Sequence, residues 1–493
     1  MMEQWVIGVA ILIIWVAVMV VVAWLSTRYR KMSVTDFATT GGTLGVITLF
    51  LTYSATYHSS YAFMGTTGAT YTHGVPWWNN IHWTVLPGIL LWLIGRRLWT
   101  LSKKYNYISV GQYVEGVYRS GGNIAKALGI IVSLVGILFV IPYTAMQALG
   151  VTYLFQIVSK GHISFTVGLV IFLLLMVFIT WIGGMRGVAW TDTVQGIFMF
   201  LAMVFGAYWV IKNAFGGLTQ VYALGAQRIP EAYSLPGLKE AYTYRFWVSQ
   251  WVSITVGMIA MPHVFLRYFA GKSLKVIKWA GVFSAAYLTY LYIFVPAIGI
   301  GARLLYPNYP TPDRLFPEML FQYTPFALAA FACAGALAAA LSTADSQLHA
   351  VSTLFTVDIY KTLVKPDADE KHLYHVDRAF VLIFGAICAW IAFTSPALFL
   401  NILQIATAGT AAIAPVLFAP LYWKRVTSKA ALTSALAGVI VVALTTFVWK
   451  NPLGILSGVW GLIVALLVLV GGSIITKPEE SIEDTVTFLK SAF

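Results

Sequence analysis

The amino-acid sequence predicts an all-α polytopic membrane protein with thirteen transmembrane helices. Three observations carry that expectation. Of 493 residues, 59% are apolar and only 10% are charged, where an ordinary soluble chain is about a quarter charged. Mean hydropathy is +0.80. Apolar runs recur along the whole length, at 5–25, 43–72, 76–99, 123–150, 163–182, 188–211, 245–270, 276–304, 325–358, 377–395, 397–423, 429–448 and 454–476. Each is close to or above the roughly 20 residues that a helix needs to cross a bilayer. A chain so poor in charge cannot cover soluble domains. This excludes a soluble enzyme, a disulfide-stapled secreted domain and a nucleic-acid binder. Cys333 and Cys388 fall in apolar runs and read as small core residues.

The first run is too long for a signal-peptide core, and no small-residue cleavage site follows it, so 5–25 is expected to remain as a helix. The basic residues give the direction. Net charge is +13, from 31 Lys and Arg against 18 Asp and Glu. With the N-terminus outside, only Lys160, Lys212, Arg228, Lys239, Arg245, Arg303, Arg314 and Lys450 lie at outer ends, and every other Lys and Arg lies inside. Cytoplasmic loops are enriched in Lys and Arg. The expected arrangement is a multi-pass protein of the cell membrane, N-terminus outside and C-terminus cytoplasmic. The longest connection, 212–244, and the tail after 476 leave no room for a folded soluble domain. No GxxxxGK[ST] phosphate loop occurs. Both facts argue against a membrane sensor and against a pump with its own ATPase.

Inside apolar runs, polar groups must find partners or line a wet cavity. Four segments concentrate them. The second run carries Ser54, Thr56, Tyr57, His58, Ser59 and Ser60 at mid-depth. An unwound stretch accounts for them, because freed carbonyls and hydroxyls coordinate a cation. Hydrogen bonding between helices is the plainer reading. The ninth run has an Ala- and Gly-rich front half, then Ser342, Thr343, Asp345, Ser346 and Gln347. Adjacent hydroxyls, with carbonyls one turn back, make a hard-oxygen site for a small cation. The alternative is that both hydroxyls bond back to their own helix. Asp192, near the inner end of the sixth run, attracts cations, caps the helix start or pairs with a basic loop. In the seventh run Pro262 is expected to break or kink the helix. His263 and Arg267, one turn apart, then act as a gate, a helix-end clamp or an anchor at the inner interface. His82, Asn79 and Asn80 can line a cavity. His372 and His375 read as a solvated loop, since two ligands do not make a zinc site. Tyr287, Tyr290 and Tyr292 read as helix packing.

These segments resemble the sodium:solute symporter family. The similar text is SATYHSSYAFMGTTGATYTHG at 54–74, TWIGGMRGVAWTDTVQG at 180–196, MPHVFLRYFA at 261–270 and AALSTADSQLHAVSTLFTVDIY at 339–360, with APLYWKR at 419–425 as a weaker match. The resemblance implies the LeuT-type fold in a single transmembrane domain. An extra helix at 5–25 would precede a first repeat of five helices at 43–211. An inverted second repeat of five would follow at 245–423, then two C-terminal helices at 429–476. It also implies a Na+ site whose ligands are the carbonyls of Ala55, His58 and Ala339 and the hydroxyls of Ser342 and Thr343. Asp192 would then lie on the inner ion path, and Asp345 is assigned to the same path. Proline-transporting members of the family carry an acidic residue where this chain has Tyr57, which argues against proline. The Ser-Tyr-Ala-Phe-Met-Gly stretch is closer to the monocarboxylate and pantothenate branch.

The expected activity is secondary active transport: symport of a small organic solute with Na+ by alternating access. Hydroxyl and carbonyl ligands have nothing to protonate, which favours Na+. Coupling to H+, with His58 or Asp192 titrating, is the alternative. The expected solute wall is Tyr57, Tyr61, Met258 and Gln404, mostly aromatic with few polar handles. That suits a small monocarboxylate, with an amino acid as the alternative. No Lys or Arg is expected at mid-depth, so a carboxylate would rely on the N-terminal dipole of a broken helix. An intramembrane hydrolase needs a nucleophile with a base, and Ser342 gains one only if His349 folds back. No enzyme activity and no obligate protein partner are expected; the partners are the solute and the lipid bilayer. The charge asymmetry is directly testable. An impermeant thiol reagent applied to intact cells should label a cysteine placed at Glu3 and spare one placed at Ser491. The opposite pattern overturns the orientation.

Overall fold

A computed structural model describes residues 3–394 and 399–493, with the side chains at 79–83, 399 and 400 outside the description. Asn79, Asn80 and His82 therefore lie outside the described side chains. The described residues are helical, joined by turns and one isolated bridge between Leu44 and Gly271. The helices that matter here are α1 (Gln4–Ser26), α2 (Val46–Tyr57), α3 (Thr66–His73), α4 (His82–Leu93), α5 (Asn123–Val158), α6 (Phe165–Phe215), α7 (Tyr244–Ala260), α8 (Pro262–Ala270), α9 (Leu274–Leu291), α10 (Val295–Leu305), α11 (Phe326–Leu354), α12 (Glu370–Thr394), α13 (Phe399–Phe418), α14 (Ser428–Ala443), α15 (Ser457–Ile475) and α16 (Glu480–Ser491). Among the described residues, nine helical segments are long and apolar enough to cross a membrane, or ten when α7 and α8 count as one bent span. The two counts differ where helices are interrupted. The runs 163–182 and 188–211 share α6, and the runs 43–72 and 76–99 fall on interrupted segments.

The centre of the molecule is α11. Every residue from Ala332 to Leu354 is buried. Its Ala and Gly residues allow this: a Cβ on Gly335 would lie 2.2 Å from the Cβ of Ala202 on α6. Without a hydrophobic drive between helices in lipid, such close backbone approach is what holds spans together. The peripheral helices show the opposite pattern. On α1, Leu12, Trp15, Met19 and Ala23 form one buried stripe at helical spacing. Ile13, Ile14, Val18 and Val21 on the other faces are exposed, as suits a surface whose solvent is hydrocarbon. The C-terminal tail is ordered rather than loose. Ile482, Val486 and Leu489 of α16 are buried, and Asp484 pairs with Arg119 at 3.1 Å. Glu370 begins α12, so His372 and His375 stand at a helix start; His372 Nε2 is 2.9 Å from the Tyr360 hydroxyl.

Three breaks position the site. Between α2 and α3, His58 and Ser59 leave the helix, and Tyr61–Gly65 resumes as a π-helical turn. Between α7 and α8, Met261 is extended and the axis bends by 50°. Pro262 sits at the first position of α8, where its missing N–H costs nothing. The start of α2 and the end of α8 are tied together: Leu44 N donates to Ala270 O at 3.0 Å, and Lys272 N donates to Leu44 O at 2.9 Å. These two broken helices open the two expected five-helix repeats. The third break, at Gly184 inside α6, has φ 52° and ψ −149°, a region that is essentially glycine-only. Nearby carbonyls find basic partners: Arg378 Nε donates to Trp181 O at 2.9 Å, and Arg30 Nη1 donates to Ile182 O. A Cβ on Gly184 would also stand 2.5 Å from the Phe37 ring. Gly184→Ala should therefore destabilise the fold by about 1–3 kcal/mol from backbone strain alone. A thermal-unfolding scan in detergent checks this; an unchanged midpoint contradicts it.

Candidate ion and solute site

The break in the second run frees the end of α2, and α11 supplies the groups that meet it. Ser342 Oγ donates to Ala55 O at 3.1 Å and lies 3.1 Å from Ala339 O in its own helix. Thr343 Oγ1 donates to His58 O at 3.1 Å. Ala55, Ala339, Ser342 and Thr343 are fully buried and His58 nearly so. The five expected ligand oxygens thus fall into two adjacent contacts between α2 and α11, one around Ser342 Oγ and one between Thr343 Oγ1 and His58 O. Back-bonding within α11 accounts for only part of this, because Thr343 reaches across to the other helix. The group holds carbonyl and hydroxyl oxygens and no carboxylate. That donor set suits a small hard monovalent cation, and nothing in it changes charge with pH. His58 turns its ring away: Nδ1 lies 3.1 Å from Ser54 O, and the ring packs against Tyr292 and Tyr287. Of the tyrosine run, Tyr287 and Tyr292 are buried here and Tyr290 is exposed.

One turn further along the same two helices lies a charge cluster. Arg267 is fully buried and its Nη2 is 3.2 Å from Asp192 Oδ2. This corrects two expectations. Arg267 is not an anchor at the inner interface, and the core is not free of basic side chains. Its Nε donates to Thr52 Oγ1 at 3.3 Å, its Nη1 to His263 O at 2.7 Å, and its Nη2 also to Ser346 Oγ. Thr52 Oγ1 donates to Asp192 Oδ2 at 2.5 Å. Asp192 is not a cap either, since it lies well inside the second half of α6. A carboxylate and a guanidinium removed from water are tolerable only when paired and hydrogen-bonded, and this pair is both. Asp345 is fully buried on the same stretch of α11 and within electrostatic range of Arg267. His263 is buried and lies against the Tyr143 ring. His349 Nε2 is 2.8 Å from Phe37 O, so it does not serve as a base for Ser342.

Of the expected solute wall, Tyr57 and Met258 line one small cavity with Pro87, Leu90, Ile254, Thr255 and Ile259. No charged side chain enters it. Tyr61 is buried and accepts a hydrogen bond from Trp77 Nε1 at 2.6 Å. Gln404 is a miss. It lines a separate pocket with Asn401, Thr446, Asn451 and Ser457, between α13 and the C-terminal helices. The face of an apolar helix that turns inward was not legible from residue type. Sequence reading also overlooked Gln147 on α5. Its Oε1 accepts from both Ser60 N at 2.9 Å and Ser60 Oγ at 2.8 Å, and its Nε2 donates to Tyr143 O at 3.2 Å. Tyr143 in turn donates to Ser59 Oγ at 3.2 Å. The signal was available: Gln147 is a lone amide in a long apolar run. At Ser60 the chain re-enters the helix, and donors there point at an acceptor, as at any helix N-terminus.

The model of the sodium:solute symporter family matches residues 37–438. The sodium/pantothenate symporter of Haemophilus influenzae is 25% identical over 417 residues, covering 83% of this chain and 82% of that one. The sodium/proline symporter of the same organism is 26% identical over 487 residues, covering 94% of each. Among solved structures, the substrate-bound outward-open state of a Na+-coupled sialic acid symporter superposes with a TM-score of 0.79 at 20% identity, over 96% of this chain and 99% of that one. That likeness shows the LeuT-type fold. The chain is a multi-pass carrier that couples solute movement to Na+, and it belongs to the sodium:solute symporter family.

Proposed function

We propose that the chain moves a small monocarboxylate into the cell together with Na+, which binds between α2 and α11 on the carbonyls of Ala55, His58 and Ala339 and the hydroxyls of Ser342 and Thr343. The observation that carries the cation assignment is the pair of cross-helix contacts, Ser342 to Ala55 O and Thr343 to His58 O. They hold the broken end of α2 against α11, and a cation placed among the same oxygens would hold it more tightly. The same break frames the start of the following helix, where the Ser60 N–H and hydroxyl converge. Ion and solute would each order the segment the other needs, which is a coupling free energy shared between two sites. One monovalent cation falling through ~100 mV yields about 2.3 kcal/mol, and a tenfold gradient adds about 1.4 kcal/mol. Together these support accumulation of roughly 500-fold. Asp192 and Asp345, with the bend at Pro262 and the neighbouring His263, would line the inner route of the ion.

The monocarboxylate reading rests on two features. The cavity beside Tyr57 and Met258 is apolar and closed down to about the size of a water, so it would have to widen to take a short aliphatic body. The donors at Ser60, now held by the Gln147 amide oxygen, present the right chemistry for a carboxylate. Relatives named for pantothenate and for proline show that this scaffold also serves a larger carboxylate and an amino acid. An uptake panel in proteoliposomes separates these. Lactate, pyruvate or propionate should compete with one another in a Na+-dependent way; alanine or proline outcompeting all of them overturns the solute assignment. Gln147→Glu places a negative charge against the bound carboxylate and should lower its apparent affinity at least tenfold, while Gln147→Ala should be milder.

The cation assignment has its own test. Thr343→Ala or Ser342→Ala removes one oxygen ligand at a dry site, which should cost on the order of 1–3 kcal/mol, or about ten- to hundredfold in apparent Na+ affinity. Saturating Na+ should restore part of the rate, and Thr343→Ser should be milder because it keeps the oxygen. Uptake indifferent to Na+ but abolished by a proton uncoupler contradicts the assignment.

A further inference from the structure

An open groove of about 580 Å3 runs between α1, the first half of α6 and α12. Val16 and Val20 of α1, Leu174, Phe178 and Trp181 of α6 and Leu382 of α12 line it, and the lining is wholly aliphatic and aromatic. At Trp181 the chemistry changes. The Arg378 guanidinium carbon is 3.6 Å from the centre of the Trp181 ring, and Arg378 Nε donates to Trp181 O at 2.9 Å. Arg30, just past the end of α1, donates to the next carbonyl, Ile182 O. Both guanidiniums also lie over the Tyr374 ring, at 5.6 Å for Arg30 and 5.4 Å for Arg378. Two positive charges are thus held within electrostatic range of each other. Among the described residues neither has an ion-pair partner. The acids nearest in sequence are engaged elsewhere: Asp36 with Arg186 at 2.6 Å, and the fully buried Asp377 with the Thr353 hydroxyl at 3.1 Å.

We infer that this is a site for one anionic phospholipid: its phosphate bridges Arg30 and Arg378, and an acyl chain lies in the groove between α1, α6 and α12. Like charges held together repel, and an anion between them removes that cost. A guanidinium fork matches phosphate oxygens two at a time. The arginines stand at the end of these spans that the charge asymmetry places inside, where membranes carry anionic lipid and where basic pockets between spans suit its headgroups. The choline ammonium of a zwitterionic lipid would meet the same two positive charges, which sets the preference. A second copy of the chain is the poorer occupant. A two-fold contact about the membrane normal would set one Arg30 and Arg378 pair at the same depth as its twin, so like charges would face each other. The bound lipid would brace the three helices beside the Gly184 break, because the arginines that hold it also hold the carbonyls next to that break. None of this depends on the sodium reading.

The test uses the purified full-length carrier, stripped of lipid in detergent and then offered phosphatidylglycerol, phosphatidylcholine or glycerol 3-phosphate. Native mass spectrometry counts the lipid retained per chain, and thermal unfolding reads its effect. The wild-type chain should retain one phosphatidylglycerol, with an apparent affinity about tenfold or more above that for phosphatidylcholine, and should unfold at a higher temperature with it. Glycerol 3-phosphate should not stabilise the chain. Arg30→Gln with Arg378→Gln should abolish the preference. Lys31→Gln with Lys371→Gln, which removes two exposed cations, should leave it intact. If the arginine variant does not yield folded protein, Val20→Trp decides: it fills the groove, keeps both arginines and should lose the retained lipid. The inference is overturned by equal retention of the two lipids in the wild type, by a preference that survives the arginine double variant or Val20→Trp, or by its loss with the lysine pair. Stabilisation by glycerol 3-phosphate alone, which marks a free-anion site, overturns it too, as does a dimer that forms in place of lipid binding.

Discussion

The structure depends on one constraint: the backbone of α2 stops being helical inside the membrane, and its freed carbonyls need partners. In hydrocarbon an unsatisfied peptide group costs several kcal/mol, so a break survives only where other groups meet it. Here α11 meets it, with Ser342 on Ala55 O and Thr343 on His58 O. The long buried stretch of α11 follows from that duty. Its Ala and Gly residues let it come close enough to α2, α5 and α6 for short hydroxyl side chains to reach across. A larger residue at Gly335 would push α6 away and carry Asp192 with it.

The two clusters along the α2–α11 seam divide the electrostatic work. In the proposed site, the neutral oxygens at Ala55, His58, Ala339, Ser342 and Thr343 would offer the weak, reversible coordination that a transported ion requires. The charged set at Asp192 and Arg267 is paired and fully buried, with the Asp345 carboxylate close by. With the fixed charges one turn away, the donors of the proposed ion site are all neutral oxygens. Arg267 sits on α8, beyond the bend at Met261 and Pro262.

Much of this was legible because polar residues inside apolar runs are expensive. Ser54 to Ser60 and Ser342 to Gln347 stood out on composition alone, and Pro262 marked its break through its missing N–H. The rest depended on distant partners. Arg267 reads as an inner-interface side chain until Asp192, 75 residues away in sequence, is seen to pair with it. Gln147 gains meaning only from Ser60, which lies 87 residues earlier. Gln404 was misjudged because α13 is apolar on nearly every face, so residue type does not say which face turns inward. Hydropathy placed the gap between the runs 163–182 and 188–211, but only the backbone angles locate the break at Gly184.

The central claim is that a Na+ ion fixes the broken stretch of α2 against α11. Amide hydrogen exchange on the purified carrier, compared in Na+ and in K+ at equal ionic strength, tests it most directly. The account expects Na+ to slow exchange selectively in peptides covering 51–65 and 339–346, and expects Thr343→Ala to remove that protection at moderate Na+. Exchange in these peptides that is the same in Na+ and K+, or protection that follows pH instead, would contradict it.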